Sequence, residues 1–201
     1  MKAWFSVTVM VSMMTVGPAA LTGSQEKPTT KPGTAGTPQD TRSSKPAASA
    51  DGAFMKTAGM DGMAEVEHGK LAAQNAASNE VKQFGQRMVD DHGKANDELK
   101  SLASQKNVTL ATELDAKHKA MQAKLSKLND AAFDSTYMAH MVTAHKEAVA
   151  LFQREAKAGK DAETKAFAAK TLPALQEHLK MAQDISARLK TAHNNSTRPV
   201  K

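Results

Sequence analysis

From residue 51 onward the apolar positions recur at steps of three and four, the spacing of one face of an α-helix. The cleanest stripe is Val81, Phe84, Met88, His92, Ala95, Leu99 and Leu102, which predicts a helix over about 80–105. Tyr137, Met141, His145, Ala148 and Phe152 predict another over 131–158, ended by Gly159. Phe167, Thr171, Ala174, His178, Ala182, Ile185 and Leu189 predict a third over 162–192, with Asp161 as its N-cap. An earlier helix over 54–76 has a less clean stripe, Met60, Met63, Ala64, Leu71 and Gln74, with Asp51 expected as N-cap. Between the hairpins, Leu114, His118, Met121, Leu125 and Leu128 mark a shorter helix over about 113–128, opened by a capping-box-like pair, Thr112 and Asp115.

Four long helices thus form two hairpins, joined by a connection that holds its own short helix. The expected fold is all-α, a ferritin-like four-helix bundle with a short extra helix in the crossover connection. A short internal likeness, Glu80 to Phe84 against Glu163 to Phe167, fits two related hairpins. Pro173 falls inside the last helix and predicts a bend. Composition agrees with the pattern: aromatic residues are only 4%, and helix formers dominate the second half.

The helical pattern does not cover the whole chain. Residues 1–23 read as a signal peptide: Lys2 is a short basic start, and Ala3 to Val16 is an uncharged, largely apolar run. That run is short for a membrane span, although an uncleaved anchor is the alternative. Residues 24–50 are Pro, Thr, Ser, Gly and Lys without a large apolar side chain, a linker that cannot offset the entropy of ordering. The bundle is assigned to 51–193 and a frayed tail to 194–201. The expected location is periplasmic or secreted, with possible outer-membrane association.

Charge and cysteine usage then narrow the chemistry. The net charge is +6, but the lysines alternate with acids along the helices and no stacking aromatics accompany them. A nucleic-acid partner is therefore not expected. The basic linker fits peripheral association with an anionic envelope surface. With no cysteine, disulfides, thiolate metal sites, cysteine nucleophiles and a lipidated cysteine anchor are excluded, so any metal must use His, Asp or Glu. Neither a phosphate-cradling glycine loop nor a nucleophile elbow is present.

One polar residue lies on or beside the stripe of each long helix: Glu67, His92, His145 and His178. Counted from the turns, the members of each hairpin differ in height by roughly 4–5 Å, near mid-bundle. Three imidazoles and a carboxylate suit one Fe, Zn or Mn ion, with Asp91 or Glu177 orienting a ring. The Glu-x-x-His spacing of di-iron bundles is missing, since Val89 and Leu175 stand three residues before His92 and His178. A metal site would thus be mononuclear, and a ferritin-like oxidase is disfavoured. The competing reading is that these histidines only hydrogen-bond within the core. His68, His140 and His193 are expected at exposed or flanking positions, and His118 at packing or surface. Tyr137 is expected in the core with a partner for its hydroxyl.

Several runs carry a family resemblance: Phe54-Met55-Lys56, Gly62-Met63-Ala64-Glu65-Val66-Glu67, Gly69-Lys70-Leu71-Ala72, Met88-Val89-Asp90-Asp91-His92, His145 with Phe152, and Ala168 to Pro173 through Glu177-His178-Leu179. Over about residues 53–192 the chain resembles the DUF4142 family. The resemblance implies a ferritin-like bundle in an exported bacterial envelope protein and supplies no activity. It carries Glu67, His92, His145 and His178 at matching positions, while His68 departs from it. The expected function is an exported protein, more binding than catalytic, holding one transition-metal ion in a metal-handling or stress role. A non-catalytic structural or interaction protein of the envelope is the alternative.

Overall fold

The computed structural model describes residues 50–196, with side chains through Asn194. The expected signal peptide, nearly all of the linker and residues 197–201 lie outside the described residues. Five helices follow in order: α1 (Ala50–Asn75), α2 (Asn79–Gln105), α3 (Ala116–Leu125), α4 (Asp130–Ala158) and α5 (Ala162–Ser196). No strand occurs among the described residues.

The four long helices make an all-α bundle in which α1–α2 and α4–α5 are hairpins, α1 also lies against α4, and α2 against α5. Contacts at the ends give the directions. The end of α1 meets the start of α4, where Asp134 accepts hydrogen bonds from the Ala77 and Ser78 N–H groups at 3.1 and 2.8 Å. The start of α1 meets the end of α4, where Asp51 accepts from Lys160 N–H at 2.7 Å. Likewise Lys106, after α2, pairs with Asp161, before α5, and Glu80 pairs with Arg188. Every lateral neighbour is therefore antiparallel, and α2 and α4 run the same way. The chain must return along the full bundle between them. It does so beside α1, passing Leu110 at Gly59, His118 at Asp61 and the Leu128 carbonyl at Asn75. Both carboxylates act as clamps on the α1–α4 pair, and they set the relative height of the hairpins, which helix counting alone leaves open.

The buried face of α1 differs from the expected one. It is Ala58, Gly62, Glu65, Gly69 and Ala72, with Phe54, Met55, Ala64 and His68 beside it. Of the expected stripe, Met60, Met63, Ala64, Leu71 and Gln74 with Glu67 beside it, only Ala64 is buried, so the helix turns most of that stripe away from the core. Close helix approach explains the choice. A Cβ on Gly69 would stand 2.6 Å from the Gly85 carbonyl oxygen, and one on Gly85 would stand 2.6 Å from the Ala72 Cβ. Only small residues allow α1 and α2 to meet this closely, so the small-residue stripe turns inward and Glu67 turns out.

Local boundaries shift for identifiable reasons. Asp51 is not the N-cap of α1, which begins at Ala50; its carboxylate is spent on the clamp. Helix α3 is shorter than expected because Asp115 itself caps it, accepting from His118 N–H at 2.9 Å, and no Thr112–Asp115 box forms. Tight i→i−3 bonds from Lys127 and Leu128 then end it. Asp161 caps α5 as expected, accepting from Thr164 N–H. Helix α5 runs on through Pro173, which faces solvent, and reaches into the expected tail as far as Ser196.

The interior is divided into two apolar clusters. One gathers Val81, Phe84, Met88, Phe133, Tyr137, Met138, Met141 and Ile185; the other gathers Phe54, Met55, Leu99, Phe152, Phe167 and Leu175. The sequence order shows what divides them. His92 stands between Met88 and Leu99, His145 between Met141 and Ala148, His178 between Leu175 and Ala182, and Glu65 between Ala58 and Ala72.

Candidate metal centre

Helices α2, α4 and α5 each contribute one histidine to this dividing layer. His92, His145 and His178 are 6%, 0% and 1% exposed. Their ring centroids are 5.6 Å apart for His92–His145, and 5.4 Å for both His92–His178 and His145–His178. One ring nitrogen from each lies within 4.8 Å of the other two. The structure therefore brings together the three histidines singled out in the sequence.

It does not bring Glu67 to them. Glu67 is a half-exposed residue on the outer face of α1, paired with Lys70 at 2.7 Å. The carboxylate at the centre is Glu65, which is 4% exposed and reaches His92 Nδ1 at 3.0 Å and His145 Nδ1 at 3.4 Å. A signal for Glu65 was present in the sequence: Ala58, Gly62, Gly69 and Ala72 place it in the middle of a small-residue stripe.

Hydrogen bonding assigns the tautomers. A carboxylate and a carbonyl only accept, so the ring nitrogens facing them carry the protons. His92 donates from Nδ1 to Glu65, His145 donates from Nδ1 to the Met141 carbonyl at 3.1 Å, and His178 donates from Nε2 to Asp91 at 2.9 Å. The remaining nitrogens, His92 Nε2, His145 Nε2 and His178 Nδ1, are buried without a hydrogen-bond partner. Asp91 is in turn fixed by Arg87 at 3.2 Å, and Arg87 also reaches Glu177 at 3.1 Å. Of the two orienting acids expected, Asp91 holds a ring directly and Glu177 acts only through Arg87.

The electrostatics follow from the same contacts. Burial would raise the Glu65 carboxyl, but His92 and His145 outweigh it and hold it down to about 2. Burial likewise opposes ionisation of Asp91, and hydrogen bonds from His178 and Arg87 overcome it and lower its pKa. Burial lowers His145, and it lowers His178 to about 4 despite Asp91. Burial also works against protonation of His92, but the charge and hydrogen bond of Glu65 win and raise it. The layer thus holds two carboxylates kept anionic by the groups they contact, with protonation favoured at His92 and disfavoured at His145 and His178.

Of the other histidines, His68 departs from expectation, whereas His193 is exposed as expected. His68 is fully buried and His140 half-buried, their ring centroids 5.2 Å apart. His118 is partly buried and lies between Asp115 and Asp61. Tyr137 is in the core as expected, but its hydroxyl has no hydrogen-bond partner among the described residues.

Fold and centre together define an all-α bundle with a buried three-histidine layer held by carboxylates. The chain belongs to the DUF4142 family, described as a domain of unknown function, whose pattern it matches over residues 36–185. No curated protein matches it. Among solved structures it is similar to a DUF305 protein of Streptomyces coelicolor, named as a candidate secreted protein (13% identity, TM-score 0.62, covering 71% of this chain and 93% of that one). It is also similar to a DUF305 fragment from Deinococcus radiodurans (11%, 0.63, covering 71% and 98%). A third likeness is to CopM in its Cu(I)-bound form (14%, 0.52, covering 74% and 98%). At these identities the likeness is one of fold. No described helix is long and apolar enough to cross a membrane.

Proposed function

We propose that this protein binds a single first-row transition-metal ion through His92 Nε2, His145 Nε2 and His178 Nδ1, as an exported metal-handling protein rather than a catalyst. The carrying observation is that these three buried nitrogens have lone pairs and no donor to satisfy them. A buried polar atom left this way costs about 1–3 kcal/mol, which a bound cation removes. The opposite nitrogen of each ring is already fixed by Glu65, the Met141 carbonyl or Asp91, the arrangement that orients histidine ligands in metal sites.

Three nitrogens bound to one zinc ion stand roughly 3.3–3.5 Å apart, given bonds of about 2.0–2.1 Å. Ring movements on the order of 1 Å close the present triangle to that size. A cavity of about 20 Å³ beside Glu65 and His92, also lined by Asp61, Asn96 and Thr171, has room for one water as a fourth ligand. Imidazole donors suit Zn, Fe, Mn and Cu, and the copper of the CopM neighbour supports including Cu(I) in the test. Glu67 has no part in this centre. The directions of the helices support the finer reading of the bundle as ferritin-like, and the signal-like residues 1–23 support export to the periplasm or beyond.

The test is metal analysis of untagged protein beside a His92→Ala/His178→Ala variant. The variant is expected to hold about one equivalent less than the parent. Equal, negligible metal in both would refute the proposal.

A further inference from the structure

We propose a second, outer site for the same class of ion beneath α3, with His68 and His140 as its ligands. A cavity of about 420 Å³ lies between α1, α3 and α4, and Asp61, Glu65, His68, Met121, His140 and Glu147 are among its walls. His68 is completely buried, and neither ring nitrogen has a well-formed hydrogen bond; the backbone of His118 offers it only a weak one. A core imidazole normally satisfies at least one nitrogen. Here the ring stands edge-on to His140, centroids 5.2 Å apart, as a pair able to take one ion between them.

The surroundings favour a cation on its way inward. Asp61 presents a carboxylate to the cavity and takes His118 Nε2 at 3.3 Å. Lys117 and Lys124 also border the cavity, and Glu147 offsets one of them through an ion pair with Lys117 at 3.9 Å. Glu65 belongs to both places: it lines this cavity and it holds His92 and His145. An ion leaving His68 and His140 therefore meets the carboxylate of the inner centre next. The passage inward rests on the proposed function; binding at the outer pair does not.

The experiment is equilibrium dialysis of the untagged full chain against Zn(II), with Co(II) absorbance to time the filling of the inner centre. Two equivalents are expected for the parent chain. One each is expected for His68→Leu, for His140→Ala and for His92→Ala/His178→Ala, and none for the last combined with His140→Ala. Filling of the inner centre should be several-fold slower in His140→Ala, a half-exposed position whose loss leaves the core packed even if His68→Leu fails to fold. One equivalent in the parent, unchanged in number and rate by His140→Ala, would overturn the outer site and leave the inner one standing. Metal retained in full by His92→Ala/His178→Ala but lost in His140→Ala would overturn the inner centre alone. Absence of bound metal in every form would overturn both.

Discussion

On one side of the histidine layer, Phe54, Phe152 and Phe167 meet one another with ring centroids 4.9–6.4 Å apart. On the other side, Met88, Met138 and Met141 fill the space around Phe84, Phe133 and Tyr137. The two halves have three aromatic rings each and nearly the same burial, but one buries three methionines and the other only Met55. Aromatic clusters have few rotamers and defined edge-to-face contacts, whereas methionine adapts its shape at little cost. A layer that had to tighten by about an ångström around an ion would have the more adaptable side chains on one wall.

The largest expected effect tests that difference directly. Phe152→Ala should lower unfolding free energy by about 3–5 kcal/mol, while Met141→Leu should cost under about 1.5 kcal/mol. Urea midpoints at unchanged slope give both values, and equal losses would abolish the distinction between the halves.

The next tests the layer between them. Glu65→Gln should weaken metal binding about 10–100-fold, since it disturbs the hydrogen bonds that orient His92 and His145. Competition with a chromophoric chelator measures the change. Glu67→Gln, on the outer face, should leave affinity unaltered, and a matching loss there would restore Glu67 to the site.

A smaller effect distinguishes the two ends. At the methionine end Asp134 holds the α1–α4 pair, whereas the phenylalanine end has a second buried acid, Glu155, beside Asp51. Burial, a proton shared with Asp51 and the charges of Asp51 and Asp161 push Glu155 up to about 7 from its ordinary 4.5. A raised acid stabilises the fold fully below its unfolded value, and that contribution is lost as pH rises through the folded one. Between pH 4.5 and 8 the parent chain should therefore lose Tm relative to Glu155→Gln. Parallel Tm curves for the two would show that Glu155 does not carry this dependence.

Most of the bundle was readable in the sequence because α2, α4 and α5 bury large apolar residues at helical spacing. The same regularity placed His92, His145 and His178 correctly. Helix α1 misled because its inward face is made of Gly and Ala, which contribute little hydrophobic contrast, while Met60, Met63 and Leu71 lie partly exposed under other elements. A rule that apolar bulk faces inward selects the wrong side of such a helix, and with it Glu67 over Glu65. The burial of His68 was hidden for a related reason. It depends on the crossover lying over α1 and α4, a long-range arrangement that no local pattern records.

The three inner nitrogens come from three different helices, two of them in one hairpin and one in the other. An ion held there ties both hairpins together as a removable cross-link in a chain that has no disulfide. If an ion binds there, it would stabilise the native state by RT ln(1 + [L]/Kd), so the stability of the fold would follow free metal. In a starved environment the loosened protein would be cleared first by proteases, so its abundance would follow metal supply without any separate sensor.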